Sequence, residues 1–345
     1  MKALLAVAAA VLMTVSAVAE QPGVPEKVST FSIVACDPAT GQMGVAVASR
    51  YFSVGSVVPW GRAGVGAVAT QADVNVGYGP KAIDLLRQGL SAQQVADRLL
   101  AEDTFPGKDG RQFAIVDANC DAVTYTGPHA PHWAGGQKGK NWAAQGNILV
   151  GPQVPEAMGK AFTAAQGELA ERLYAALAAG DAAGGDRRGR QSASMLVVCG
   201  KSDLTCGRNT NNPRWLYINV DDNPNPFPEL RRLLDHALAY DYGDRSYKLL
   251  EQGKSKEALA DAEKSEHYAP DSADTHLSLG FLTYLQGDKT RSLEEFQKAK
   301  QMDTNFRKQF EAEVSFEKKF APILNDKDFL QKIFPEGLPT APPSQ

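Results

Sequence analysis

The sequence predicts an α+β protein followed by an all-α extension. Three observations carry this. Pairs of short apolar runs flank turn residues, and two pairs of amphipathic helical segments lie between them. From Arg245 onward the composition shifts to Lys, Glu, Leu and Ala with a helical rhythm. The 345-residue length exceeds one average domain, so two or three units are expected. At 43% hydrophobic and 22% charged the chain has ample material for a core, and its net charge of -4 offers no attraction to nucleic acid.

The N-terminus reads as a targeting segment over residues 1–19. Lys2 precedes an apolar stretch, Ala3 to Val15, and Ala17-Val18-Ala19 has the small-x-small form of a cleavage site. That stretch is too short for a convincing membrane span, and no other long apolar run follows. A mature chain beginning at Glu20, periplasmic or secreted and without a membrane span, is the expectation. Residues 20–29 form a polar leader broken by Pro22, Gly23 and Pro25.

The first body is assigned to residues 30–240. Thr30–Cys36 and Met43–Ala48 flank Asp37-Pro38-Ala39-Thr40-Gly41-Gln42, where Pro38 and Gly41 supply the bend of a β-hairpin. Tyr51 to Gly64 reads as a loop, and Val65–Gln71 as a buried strand. Helices are expected at Pro80–Gln88, closed by Gly89, and at Ala92–Ala101, started by a Ser91/Gln94 capping box. Gln112–Asp117 and Ala122–Thr126 form a second hairpin around Asn119. A Gly/His/Trp loop, Gly127 to Asn141, leads to a strand at Trp142–Val150. Helices follow at Val154–Ala165 and Glu168–Ala179, the latter ended by Gly180. A basic loop, Gly180 to Arg190, then feeds strands Ala193–Cys199 and Trp215–Val220, and helix Glu229–Ala239 closes the body.

Export permits disulfides. Cys199 and Cys206 enclose a short polar loop that a bridge could close, and Cys36 and Cys120 each end a strand and could pair. The spacing alone does not decide the connectivity. With no C-x-x-C, and no third ligand near His129 and His132, no metal site is expected. Asp221-Asp222-Asn223, followed by Pro224 and Pro226, reads as a turn. The absence of a P-loop, G-x-G-x-x-G, G-x-S-x-G or H-E-x-x-H argues against nucleotide, dinucleotide, triad-hydrolase and zincin chemistry, so no cofactor is expected.

In the helical region, 243–320, a 34-residue offset aligns Gly253 with Gly287, Leu250 with Tyr284, Leu259 with Leu293, and Ala262 with Phe296. The rhythm resembles tetratricopeptide repeats. Two repeats are fewer than the roughly three that stand alone. They are therefore expected to dock on the first body, a protein partner or the helix Asn305–Phe320. Residues 321–345 are read as a C-terminal tail, disordered from Thr340.

TFSIVACDPATG, GVAVASRYFSVGSVVPW, RAGVGAVATQA, QGNIL and GGDRRGRQSA together resemble the domain-of-unknown-function family DUF1028, from Thr30 to about Ala239. The resemblance implies a four-layer αββα sandwich of the N-terminal-nucleophile (Ntn) hydrolase type. In such enzymes a chain-terminal Thr, Ser or Cys attacks an amide. It also implies, by analogy only, homo-oligomerisation.

Within that frame Thr30 is the candidate nucleophile, its freed α-amine acting as base near neutral pH. This needs a cut at Ser29–Thr30, and attack of the Thr30 hydroxyl on the Ser29 carbonyl would supply it. Arg50 could depress the amine pKa or orient a substrate carboxylate. Proteasome-type relatives use a nearby lysine, but none occurs between Lys27 and Lys81. Gln71 and Asn147 are candidate oxyanion donors or substrate clamps. Asp186, Arg187, Arg188 and Gln191, on a Gly-flanked loop, are candidate substrate-binding residues for an anionic group. Each has a plainer alternative: a strand residue for Thr30, a turn for Asn147, ion pairs or a solvated charge run for the arginines. The reading is an exported amidohydrolase cleaving a small amide or peptide-like substrate. Its rival is a non-catalytic module that binds a ligand or a protein.

Overall fold

The computed structural model describes residues 27, 28, 30–200 and 214–339. Residues 1–26, which the sequence reading gives to a signal segment and leader, lie outside them with Ser29, Cys206 and the residues from Thr340. What is described is a mixed α+β body built on two antiparallel sheets, followed by a region of several helices.

The larger sheet runs β11 (Arg214–Val220), β10 (Ser192–Val198), β3 (Met43–Ser49), β2 (Thr30–Cys36), β9 (Trp142–Gly146), β8 (Gly135–Gly139). The other runs β1 (Lys27–Val28), β5 (Gly66–Asp73), β6 (Arg111–Asp117), β7 (Ala122–Thr126), with β4 (Pro59–Arg62) also paired to β5. In the central hairpin Thr30 lies opposite Ser49 and Cys36 opposite Met43. Every residue of β2 and β3 is buried, as small apolar runs with cover on both faces require.

Strand alternation sorts this material into layers. Phe31, Ile33 and Ala35 pack with Met158, Phe162, Leu173 and Leu177 of helices α3 (Gln153–Ala164) and α4 (Leu169–Ala182). Val34, Cys36, Val45 and Val47 turn the other way and meet Ala67, Ala69, Ala114 and Val116 of the second sheet. Beyond that sheet, Val68, Phe113 and Ile115 pack against helices α1 (Tyr78–Arg87) and α2 (Ala92–Glu102). The α2 capping box is present, with Ser91 N donating to Gln94 Oε1 at 2.9 Å and Gln94 N to Ser91 Oγ at 3.3 Å. A Cβ at Gly44 would stand 2.8 Å from Leu173 Cδ1, so glycine there sets how closely α4 approaches β3.

Several elements differ from the sequence expectation. The loop Tyr51–Gly64 holds a 3-10 turn, Val54–Ser56, and β4; the loop Gly127–Asn141 holds the glycine-rich β8. The strand expected to reach Val150 stops at Gly146, because Ile148 takes φ 50° and turns the chain away. Gly180 does not end its helix. It is buried inside α4, where a Cβ would lie 2.7 Å from Met158 Cγ of α3. The closing helix is much longer than Glu229–Ala239: α5 spans Pro226–Glu251, because Tyr242, Ser246 and Leu250 continue the buried stripe begun by Leu230, Leu234 and Leu238.

Helices α6 (Ser255–Tyr268) and α8 (Lys289–Met302) begin and end 34 residues apart, and Gly253 and Gly287 occupy equivalent left-handed turns at φ 79° and 84°. Helix α7 (Ala273–Leu285) lies between them. The helix expected over Asn305–Phe320 ends at Phe316 (α9, Phe306–Phe316), and the segment read as a tail from residue 321 holds the end of a 3-10 helix, Lys318–Asn325, and α10, Lys327–Ile333. Phe306, Phe310, Phe320, Phe329 and Phe334 are buried in one cluster with Phe281 and Phe296, the apolar core of the helical region. Tyr242 Oη and Tyr268 Oη donate to Glu168 Oε1 and Glu171 Oε1 of the first body, at 2.9 and 2.7 Å. Among the described residues no helix is long and apolar enough to cross a membrane.

Cys36, at the end of β2, is bonded to Cys120, in the turn between β6 and β7, so the bridge links the two sheets. Cys199 is also disulfide-bonded. The Cys36–Cys120 link spans 84 residues, a loop whose closure restricts the unfolded chain by about 4–5 kcal/mol on the chain-entropy model. Replacing both residues with alanine should lower unfolding stability by that order under non-reducing conditions, measured by urea denaturation. An unchanged midpoint would show that the bridge does not stabilise the fold.

Candidate active site

The layer between the sheets is apolar at the disulfide end and polar at the other. Along β2 the residues on that face run Thr30, Ser32, Val34, Cys36, so the change in polarity occurs within one strand. Ser49 of β3, Ser192 and Ser194 of β10, Gln145 of β9, Gln71 of β5 and Gln112 of β6 join Thr30 and Ser32 in a seam buried almost completely. Most buried groups of this kind find hydrogen-bond partners, and several here bond across the sheets. Ser32 Oγ donates to Gln71 Oε1 at 2.6 Å across the sheets. Gln71 Nε2 donates to Gln112 Oε1 at 2.8 Å and to the Thr30 carbonyl at 3.2 Å.

Gln112 is the hub. Its Oε1 also accepts from Asn147 Nδ2 at 3.0 Å, while its Nε2 donates to Thr126 Oγ1 and the Gly146 carbonyl, both at 2.8 Å. Thr30 is therefore held from two sides. Its carbonyl accepts from Gln71 Nε2 and from Asn147 N at 2.9 Å, and its hydroxyl donates to Ser49 Oγ at 3.2 Å. The side-chain N–H groups of Gln71 and Asn147 are engaged with Thr30 and Gln112, an arrangement that positions Thr30. Directly after each of these amides stands a non-glycine residue in left-handed backbone, Ala72 at φ 63° and the β-branched Ile148 at φ 50°. Such conformations are costly and persist where surrounding structure enforces them.

Arg50, Asp186, Arg188 and Gln191 form a second group beside the seam. Asp186 is buried, and its carboxylate accepts from Arg50 N at 3.0 Å, Arg188 N at 2.9 Å and Arg188 Nη2 at 3.0 Å. Arg50 Nη1 donates to the Arg188 carbonyl at 2.5 Å. Gln191 N donates to the Ser49 carbonyl, and its side chain to Asp222 Oδ1 at 3.1 Å. Asp186 and Gln191 thus fasten the loop to the end of β3, while the Arg50 and Arg187 side chains are exposed on its rim. Thr30, Gln71 and Asn147 share one network, and Ser49, opposite Thr30, connects it to the arginine loop. The sequence alone does not single out Ser32, Ser49, Gln112, Gln145, Ser192 and Ser194. Their signal was a hydroxyl or amide at inward strand positions otherwise filled by Val, Ala and Leu.

Next to Gln112 lies a buried ion pair, Arg111 Nε to Asp103 Oδ2 at 3.0 Å, with Tyr78 Oη donating to the same oxygen at 2.6 Å. Burial pushes the Asp103 carboxyl up. Hydrogen bonds from Tyr78, the Phe105 N–H and Arg111 outweigh it and hold the group below the usual carboxylate range. In the helical region Glu266, His276 and Glu295 have ligand atoms close enough for a metal. His276 and Glu295 are already satisfied internally: His276 Nδ1 is 2.6 Å from Glu295 Oε2, His276 Nε2 is 2.8 Å from the Pro270 carbonyl, and Lys298 Nζ is 3.0 Å from Glu295 Oε1.

Residues 30–230 match the model of a family of unknown function, DUF1028. A crystal structure of a DUF1028 protein from Silicibacter pomeroyi is similar, with 32% identity and a TM-score of 0.54 over 61% of this chain and 86% of that one. No curated protein matches the chain.

Replacing Gln112 with leucine strands the amides of Gln71 and Asn147, at about 1–3 kcal/mol per unsatisfied buried group. Gln112→Leu should therefore destabilise the protein by at least about 2 kcal/mol in urea; a neutral substitution would disprove the hub. Asp103→Asn should cost about 3–5 kcal/mol at neutral pH by leaving Arg111 buried and unpaired. A depressed carboxyl contributes stability above its unfolded pKa of about 3.9, lost as pH falls through the folded value. The gap between wild type and Asp103→Asn should accordingly narrow below about pH 4. A constant gap in acid unfolding would reject this assignment.

Proposed function

Since the chain belongs to the DUF1028 family, a family without an assigned reaction, we propose its function from the seam: an Ntn-type amidohydrolase that acts on a small amide or peptide-like substrate after Thr30 becomes the first residue. The observation that carries this reading is the restraint of Thr30. It opens a central strand, its carbonyl is held by Gln71 and Asn147, and its hydroxyl lies 3.2 Å from Ser49 Oγ. That is the preorganisation a nucleophile on a rigid element needs. The layered body fits the αββα sandwich such enzymes use, and the 34-residue helical offset fits tetratricopeptide repeats. Two bridged cysteines and the signal-like N-terminus support export.

In the proposed chemistry the freed Thr30 α-amine accepts the hydroxyl proton as Oγ1 attacks the substrate carbonyl carbon. Collapse of the tetrahedral adduct breaks the C–N bond, and the leaving amine takes that proton. Water then hydrolyses the Thr30 ester, releasing the acid and restoring the hydroxyl. Arg50 and Arg187 on the rim would favour an anionic group on the substrate. A second reading, a non-catalytic binding module, is favoured by one feature. In the full chain Thr30 is internal and buried, and β1 ahead of it is paired with β5, Val28 opposite Ala72.

Intact mass and N-terminal sequencing of protein from the periplasm separate the two. Wild type should begin at Thr30 and hydrolyse members of an amide library. Thr30→Ala should begin at Glu20, remain folded by circular dichroism and lose turnover. A folded wild type that still begins at Glu20 would leave Thr30 without a free amine and would favour the binding module.

A further inference from the structure

A cleft of about 360 Å³ opens where β4, β10, β11 and the start of α1 meet, lined by Trp60, Arg62, Ile83, Leu196, Arg214 and Tyr217 among others. Its volume lies within the range of small-molecule sites. Both aromatic walls are fixed from behind. Trp60 Nε1 donates to Thr70 Oγ1 at 3.2 Å, and the indole lies so close to Gly79 that a Cβ there would stand 2.2 Å from Trp60 Cδ2. Tyr217 Oη donates to the Gly55 carbonyl at 2.6 Å, and the Arg214 guanidinium rests over the Tyr217 ring, 4.7 Å from its centre.

The charge of this cleft is not balanced. Arg111, Arg188, Arg190 and Arg231 each face a carboxylate within salt-bridge distance. Among the described residues Arg62 and Arg214 have no such partner, although both line the same cleft. Asp84, the acid among the described residues of its wall, is paired with Arg87 at 3.2 Å. Two guanidinium groups lining one cleft beside rigid aromatic faces, in a chain of net charge -4, form a local positive field that no carboxylate among the described residues pairs with. An oxyanion would accept their N–H groups, and a flat apolar body would stack on the rings.

We propose that this cleft binds a small organic oxyanion, a carboxylate or phosphate carried on a planar apolar group, at a site separate from the Thr30 seam. Arg62 and Arg214 hold the anion, and Trp60 and Tyr217 hold the body. This assignment does not depend on whether Thr30 is a nucleophile.

Calorimetric titration of the whole protein with benzoate, phenyl phosphate and inorganic phosphate tests it. Benzoate or phenyl phosphate should bind with a Kd of about 1 mM or tighter, and added salt should weaken binding. Arg62→Gln and Arg214→Gln should each weaken it about tenfold, whereas Arg187→Gln, on the rim of the seam, should not. Circular dichroism checks that the variants fold. Absence of binding by both organic anions, binding insensitive to the Arg62 and Arg214 variants, or binding lost in Arg187→Gln would overturn the proposal. Inorganic phosphate binding as tightly as phenyl phosphate would overturn the planar body. Tighter binding of phenyl phosphate than benzoate would assign a phosphate, and the reverse a carboxylate.

Discussion

Burying an amide side chain away from water is tolerable only when neighbours complete its hydrogen bonds, and Gln112 is the point where this protein meets that demand. Its carbonyl oxygen serves two other amides and its nitrogen serves a hydroxyl and a backbone carbonyl. The partners come from β5, from β7 and from the end of β9, so the network needs both sheets in one register. A slip of one residue in any of these strands would turn a bonded amide toward helices and an apolar residue toward the seam. The orientation of Thr30 follows from this, since the groups that hold its carbonyl are the ones Gln112 holds in turn.

Much of the architecture could be read from the chain because it rests on local rules. The hairpin at Thr30–Ser49, the Ser91/Gln94 cap and the helix pairs follow from period, turn chemistry and capping, and the structure has them within one to three residues. The departures arise where tertiary packing overrides a local signal. Gly180 carries the mark of a helix end, yet it lies within α4 because a neighbouring helix needs the space of the missing side chain. The run from Trp142 is apolar enough to continue to Val150, but Asn147 and Ile148 are drawn into the seam and the turn beyond it. Residues 321–345 read as a tail in the sequence, yet Phe329, Leu330, Ile333 and Phe334 are buried in the apolar cluster they help to close.

The candidate site was legible only in part, for a similar reason. Thr30, Gln71 and Asn147 stood out by position, at the start or end of apolar runs. Gln112 and the serines of β2, β3 and β10 did not, because a lone polar residue in a strand gives no sign of which face it occupies until both sheets are paired. Asp186 shows the converse. In the sequence it belongs to a basic loop that could meet a substrate, yet its carboxylate is turned inward to bind the backbone of Arg50 and Arg188. Three neighbouring residues of one loop thus divide between fastening and exposure, a division set by hydrogen bonds made across the chain.

Helix α5 has a consequence of another kind. At 26 residues it is about 39 Å long, and its buried stripe passes from Leu230 and Leu234 in the sheet body to Leu250 in the core of the helical region. The two regions therefore share a strut in place of a linker. A hinge between them would have to break a continuous run of backbone hydrogen bonds, and thermal opening of one region takes away part of the packing surface of the other. Packing lost around Leu250 thus weakens the support of the same helix whose Leu230, Leu234 and Leu238 lie in the core of the sheet body, so the stabilities of the two regions are coupled through α5.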